Sequence, residues 1–125
     1  MRKLIVVAAA ISGLVVLAPE ARAQAQPRDC MVAGTPVPIG FNGTGTIELS
    51  SGESCNVFLN TSGTIESSRI TRQPKNGSLK QASAANVIYT PKAGYRGTDE
   101  FEVTLKGSTQ RASGTSVVKI KANVQ

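Results

Sequence analysis

Hydrophobic residues fall at every second position through much of the C-terminal half of this chain of 125 residues. In TDEFEVTLKG, Phe101, Val103 and Leu105 lie on one side, and Glu100, Glu102, Thr104 and Lys106 on the other. That is the period of a strand buried on one face. Val118, Ile120, Ala122 and Val124 alternate in the same way with Lys119, Lys121 and Asn123. The two segments fit one antiparallel register through a loop at 107–114. Phe101 then opposes Ile120 and Val103 opposes Val118 inside, while Glu102 opposes Lys119 and Glu100 opposes Lys121 outside. A slip of one residue would turn the apolar set into water. Each charge pair adds at most about 1 kcal/mol, so the pairs mark register more than they supply stability.

Shorter segments repeat the pattern upstream. Thr46–Ser50 presents Ile47 and Leu49 on one face, and the turn Ser51-Gly52-Glu53-Ser54 follows. Cys55, Val57 and Leu59 form the inner face of the next strand, and Asn60–Gly63 turns the chain again. Ile65–Gln73 is a more polar strand anchored by Ile70. Pro74-Lys75-Asn76-Gly77 is a strong turn signal, with short strands around Leu79 and over Asn86–Thr90 after it. Residues 31–45 carry two Pro and four Gly, a composition that suits an edge segment or irregular lead-in. Outside the first 23 residues no window has sustained helical periodicity. About seven strands with frequent turn signals predict a single all-β antiparallel sandwich.

The stretch YTPKAGYRGTDEF, Tyr89–Phe101, is the corner around which these strands are organised. Thr90-Pro91 ends an extended run, because Pro lacks a ladder donor and forces its predecessor to extended geometry. Gly94 and Gly97 supply positive φ for a tight reversal. Tyr95 between them reads as a packing plug whose hydroxyl bonds nearby backbone.

Pro74-x-x-Gly77, Tyr89-Thr-Pro91 and Gly94-Tyr95-x-Gly97-x-Asp99-x-Phe101 together resemble the bacterial Ig-like and cadherin-like modules of large surface proteins. The resemblance covers about the last 55 residues. It implies an Ig-like β-sandwich used for adhesion or as a spacer, with Asp99 bonding turn backbone. Related modules often follow the Phe strand with an Asp-Gly-rich turn that can hold calcium. Here the turn is Lys106-Gly107-Ser108, without a carboxylate. Such modules also usually form tandem arrays, whereas this chain has room for one.

At the N-terminus, Arg2 and Lys3 precede an apolar run from Leu4 to Ala18, and Ala21-Arg22-Ala23 is a small-x-small cleavage site. Residues 1–23 therefore read as a secretory signal peptide, too short to span a membrane comfortably. An uncleaved anchor is the alternative. Residues 24–45 then form an N-terminal edge segment and 46–125 the sandwich domain. Removing residues 1–23 takes three cations and one acid, so the formal net charge falls from +6 to +4. The destination is periplasmic or secreted. Cys30 and Cys55 are the chain's two cysteines. In an exported protein they read as one disulfide, closing a loop of about 26 residues and contributing roughly 3 kcal/mol. Their spacing is not that of a redox pair, and two thiols without any His fall short of a metal site.

Charge and candidate chemistry sharpen the picture only a little. Without His, the usual serine-hydrolase base is missing, and a Ser-Lys pair stays open with no motif to carry it. Glu100 and Glu102 share a strand face, but lysine partners explain them better than acid/base work does. The expectation is a non-enzymatic protein with no catalytic residue, cofactor or metal. Arg69, Arg72, Lys75 and Lys80 form the densest basic run, and no acid occurs from Ser67 to Thr98. They are either a patch for an anionic surface polymer or a solvated strand and turn. Nucleic acid is excluded by the few aromatics, Phe41, Phe58, Tyr89, Tyr95 and Phe101, the last three of which read as structural. With Val57 and Leu59 inside, Phe58 points outward. It is either one end of a contact surface or covered by the segment that Cys30 ties down. The expected function is contact with an envelope protein or cell surface. The alternative is binding or inhibition of an acidic partner by the basic 69–80 region.

Overall fold

The computed structural model describes residues 26–34 and 36–125, and no helix occurs among them. The expected signal segment, residues 1–23, lies outside the described residues. In chain order the strands are β1 (Arg28–Cys30), β2 (Val37–Pro38), β3 (Gly43–Leu49), β4 (Cys55–Phe58), β5 (Thr61–Ser62), β6 (Thr64–Arg72), β7 (Gly77–Ser83), β8 (Asn86–Pro91), β9 (Gly97–Ser108) and β10 (Ser113–Val124). Three have three residues or fewer, which leaves seven longer ones.

Two four-stranded sheets form the sandwich, ordered β1-β4-β8-β7 and β3-β10-β9-β6, and β2 and β5 make a small separate ladder. Alternate residues of both sheets fill the space between them. Cys55, Val57, Val87 and Tyr89 come from the first sheet, and Ile47, Phe101, Val103, Leu105, Ile120 and Ala122 from the second. The Tyr89 and Phe101 rings stack across the layers with centroids 5.6 Å apart. Stacked aromatic pairs add to the area they bury.

The β9–β10 pairing has the expected register: Phe101 opposite Ile120, Val103 opposite Val118, Glu102 opposite Lys119 and Glu100 opposite Lys121. Two expectations are corrected. First, 107–114 is not all loop. The strands continue to Ser108 and from Ser113, and a turn at 109–112 is closed by the Thr109 amide donating to the Ala112 carbonyl at 2.7 Å. The supposed turn Lys106-Gly107-Ser108 is therefore strand. Second, the sheets are not wholly antiparallel. β1 runs parallel to β4, and β3 parallel to β10. The N-terminal chain lines the edge of one sheet and then crosses to the other, a long-range choice with no local sequence signal.

Residues 31–45, expected as an edge segment or irregular lead-in, also cover part of the second sheet. Ala33 bridges Thr46, and β3 begins at Gly43. The apolar side chains of this segment fit notches over glycines. A Cβ at Gly43 would lie 2.4 Å from Val37 Cγ2, at Gly45 2.6 Å from Val32 Cγ1, and at Gly107 2.4 Å from Ile39 Cδ1. The buried Ser116 hydroxyl accepts from the Gly40 amide (2.9 Å) and donates to the Pro38 carbonyl (3.3 Å), so this buried polar side chain beneath the covering is satisfied.

Candidate functional site

Three groups of residues bear on function: the corner, the disulfide edge with Phe58, and the basic run. At the corner, the chain leaves β6 in the second sheet and enters β7 in the first through Gln73–Asn76. Asp99, on the inner side of β9, is buried beside this crossing. Its carboxylate accepts hydrogen bonds from the Lys75, Asn76 and Glu100 amides, each at 3.0 Å, and from the Tyr89 hydroxyl at 2.8 Å. A carboxylate is acceptor-only, and four donors occupy most of its lone-pair directions. Tyr89 belongs to β8 of the first sheet, so Asp99 joins both layers and their connection. Burial pushes the Tyr89 phenol well above its ordinary range, and the Asp99 hydrogen bond and charge push it the same way.

The remaining corner residues support this arrangement. Pro91 ends β8 opposite Gly77. A Cβ at Gly77 would lie 2.6 Å from the Thr90 carbonyl oxygen, so only glycine admits the strand this close. The Tyr95 amide donates to the Lys92 carbonyl at 3.0 Å, which places the turn around Gly94. The Tyr95 hydroxyl donates to the Thr98 carbonyl. Gly97 has φ +136°, and a Cβ there would lie 2.9 Å from that hydroxyl oxygen. The corner's polar groups are committed to the fold.

Cys30 and Cys55 form the disulfide, with Cα atoms 5.5 Å apart. It joins adjacent strands of one sheet and fastens β1 to the edge of β4. The same edge is held by an Arg28–Glu53 ion pair at 3.2 Å and by Asn56 donating to Asp29 at 3.2 Å. The Ser50 amide, with Arg28, holds the Glu53 carboxyl below the usual carboxylate range. Phe58, in β4, faces outward and is 48% exposed, and Met31 beside it is 89% exposed. Together with Asp29, Val32, Leu59 and Asn60 they line an open groove of about 360 Å³. The N-terminal segment therefore flanks Phe58 and leaves half of its surface free.

The basic run does not form one patch. Arg69 opposes Thr104 and Arg72 opposes Glu102 on the outer face of the second sheet. Lys75 lies in the crossing, and Lys80, next to the buried Leu79, faces outward from the first sheet. Arg72 is also ion-paired with Glu100 at 3.3 Å. The expected Glu100–Lys121 and Glu102–Lys119 neighbours keep their register, but Glu100 takes its ion pair from β6 instead. Sequence reasoning missed Lys106, which pairing across β6, β9 and β10 places near Arg69. Only the fold supplies that signal. No group of His, Cys, Asp or Glu suited to a metal ion occurs among the described residues.

A family model described as bacterial Ig domain matches residues 34–121. The match thus begins within the glycine-notched covering, well before the corner motif. No curated protein matches the chain. Domains of this family are generally non-catalytic. The two-layer topology and the extent of the match place the chain in the bacterial Ig domain family.

Proposed function

We propose that this protein is an exported, non-enzymatic contact module that engages an envelope or cell-surface protein through the edge formed by β1 and β4. The observation that carries this reading is the exposure of Met31 and Phe58 around one groove on a disulfide-anchored edge. Large apolar side chains presented together on a rigid support are the usual anchors of protein contacts. The charged start and apolar run of residues 1–18 support export, as does the disulfide. Periplasm and cell exterior are both oxidising and suit it equally.

The test is capture from envelope extract by the wild type and by a Met31→Ser/Phe58→Ser variant. A protein retained by the wild type and lost with the variant supports the reading. An unchanged set of retained proteins refutes it. A second reading, an acidic partner on the basic 69–80 region, is weakened by the placement of Arg69 and Lys80 on opposite layers.

A further inference from the structure

The outer face of the second sheet carries five cations: Arg69 and Arg72 on β6, Lys106 on β9, and Lys119 and Lys121 on β10. Three of them share two carboxylates. Lys119 and Arg72 both oppose Glu102, while Lys121 opposes Glu100, to which Arg72 is bonded. The other two are placed differently. Arg69 opposes Thr104, and Lys106 lies between Ser67 and Thr115. Neither enters an ion pair among the described residues. They are diagonal neighbours, about 7–8 Å apart on such a face and within reach of long side chains.

Between them opens a groove of about 450 Å³ bordered by the hydroxyl residues Ser67, Thr104 and Thr115, and no carboxylate lines it. The nearest acid along β6 is Glu66, which falls at a bulge in the ladder. Its carboxylate accepts from the Ser108 hydroxyl at 2.7 Å and does not line the groove. Bulges re-aim side chains in this way.

We propose that this groove binds an acidic polysaccharide, with Arg69 and Lys106 on its carboxylates and the Ser67 and Thr115 hydroxyls on its sugar hydroxyls. The face of a sheet offers no free backbone groups, because the ladder uses them. A peptide recognised by strand addition needs those groups. No aromatic lines the groove, so nucleobases have nothing to stack on. A hydroxyl-rich polyanion meets what the surface does offer. The site shares only Arg69 with the basic run and lies on the opposite layer from Phe58, so it stands independently of the protein-contact reading.

The experiment titrates the protein with polygalacturonate, neutral dextran and polyglutamate at low ionic strength. The wild type should bind polygalacturonate and not dextran. Arg69→Ser/Lys106→Ser should weaken binding about tenfold or more. The charge-matched Lys80→Ser/Lys92→Ser and the Met31→Ser/Phe58→Ser variants should stay within about twofold, well under the tenfold that 1.4 kcal/mol represents. Thr115→Glu, an exposed change that puts a carboxylate at the groove, should also weaken it. Equal loss in the two lysine-containing variants would show net charge acting alone and overturn the site. So would absent wild-type binding, or polyglutamate binding as tightly as polygalacturonate.

Discussion

Replacing Asp99 by alanine removes four hydrogen bonds at once, and the damage is unevenly distributed. The Lys75 and Asn76 amides lie in a partly exposed turn beside an open hollow, where water can replace the carboxylate, although without its charge. The Tyr89 hydroxyl lies in the core and has no other hydrogen-bond partner among the described residues. A buried donor left unsatisfied costs about 1–3 kcal/mol, and hydrogen bonds to a charged group about 1.5–3 kcal/mol. The expected loss for Asp99→Ala is therefore about 3–4 kcal/mol. Asp99→Asn keeps the shape but turns an amide nitrogen toward two of the four donors, since each carboxylate oxygen accepts two, for about 2 kcal/mol or more. Tyr89→Phe removes donor and demand together and leaves Asp99 three amides, so about 1 kcal/mol is expected. Urea unfolding followed by circular dichroism reads all three. In thermal melts, each kcal/mol lowers the midpoint by roughly 4–8 °C for a domain of this size. A cost under about 1 kcal/mol for Asp99→Ala, or an equal cost for Tyr89→Phe, would refute this role of the carboxylate.

Other consequences can be checked in the same assays. Gly43→Ala drives a Cβ into Val37 and should cost about 1–3 kcal/mol; Val37→Ala in the same chain should recover part of that, which a double-mutant cycle measures. Tyr89 holds its proton more tightly when folded than unfolded, so its contribution is intact below the unfolded phenol pKa of about 10 and falls as pH rises beyond it. The wild type should therefore lose stability in alkali more steeply than Tyr89→Phe, and matching slopes would contradict the burial. Cys30→Ser/Cys55→Ser should cost roughly 3 kcal/mol, with a like shift when the wild type is reduced, and an unmoved midpoint would deny the bond a structural role.

What the sequence disclosed follows from how locally each feature is encoded. Strict alternation fixed the β9–β10 register, because only one pairing keeps Phe101, Val103, Val118 and Ile120 together inside. The positive φ values at Gly94 and Gly97 were equally legible, since a reversal between strands requires them. The covering of residues 31–45 was not. Gly43, Gly45 and Gly107 carry no apolar signal, and their value as notches exists only once Val37, Val32 and Ile39 arrive from elsewhere. The parallel pairing of β3 with β10 likewise depends on segments about 75 residues apart. The basic run looked continuous because Arg69 and Lys80 are close in sequence. The crossing at Gln73–Asn76 sends them to different layers, while Lys106, distant in sequence, is brought beside Arg69.

Amide hydrogen exchange at Lys75 and Asn76 tests most directly whether the Asp99 carboxylate joins the two layers. Lys75 is exposed and Asn76 half-buried, in a turn outside the strand ladders, where amides without a partner exchange much faster than those of the core. If Asp99 holds them, they should exchange only with opening of the sandwich, at protection close to that of Val103 in the core, and lose that protection in Asp99→Ala. Rapid exchange of both amides in the wild type would contradict the connection.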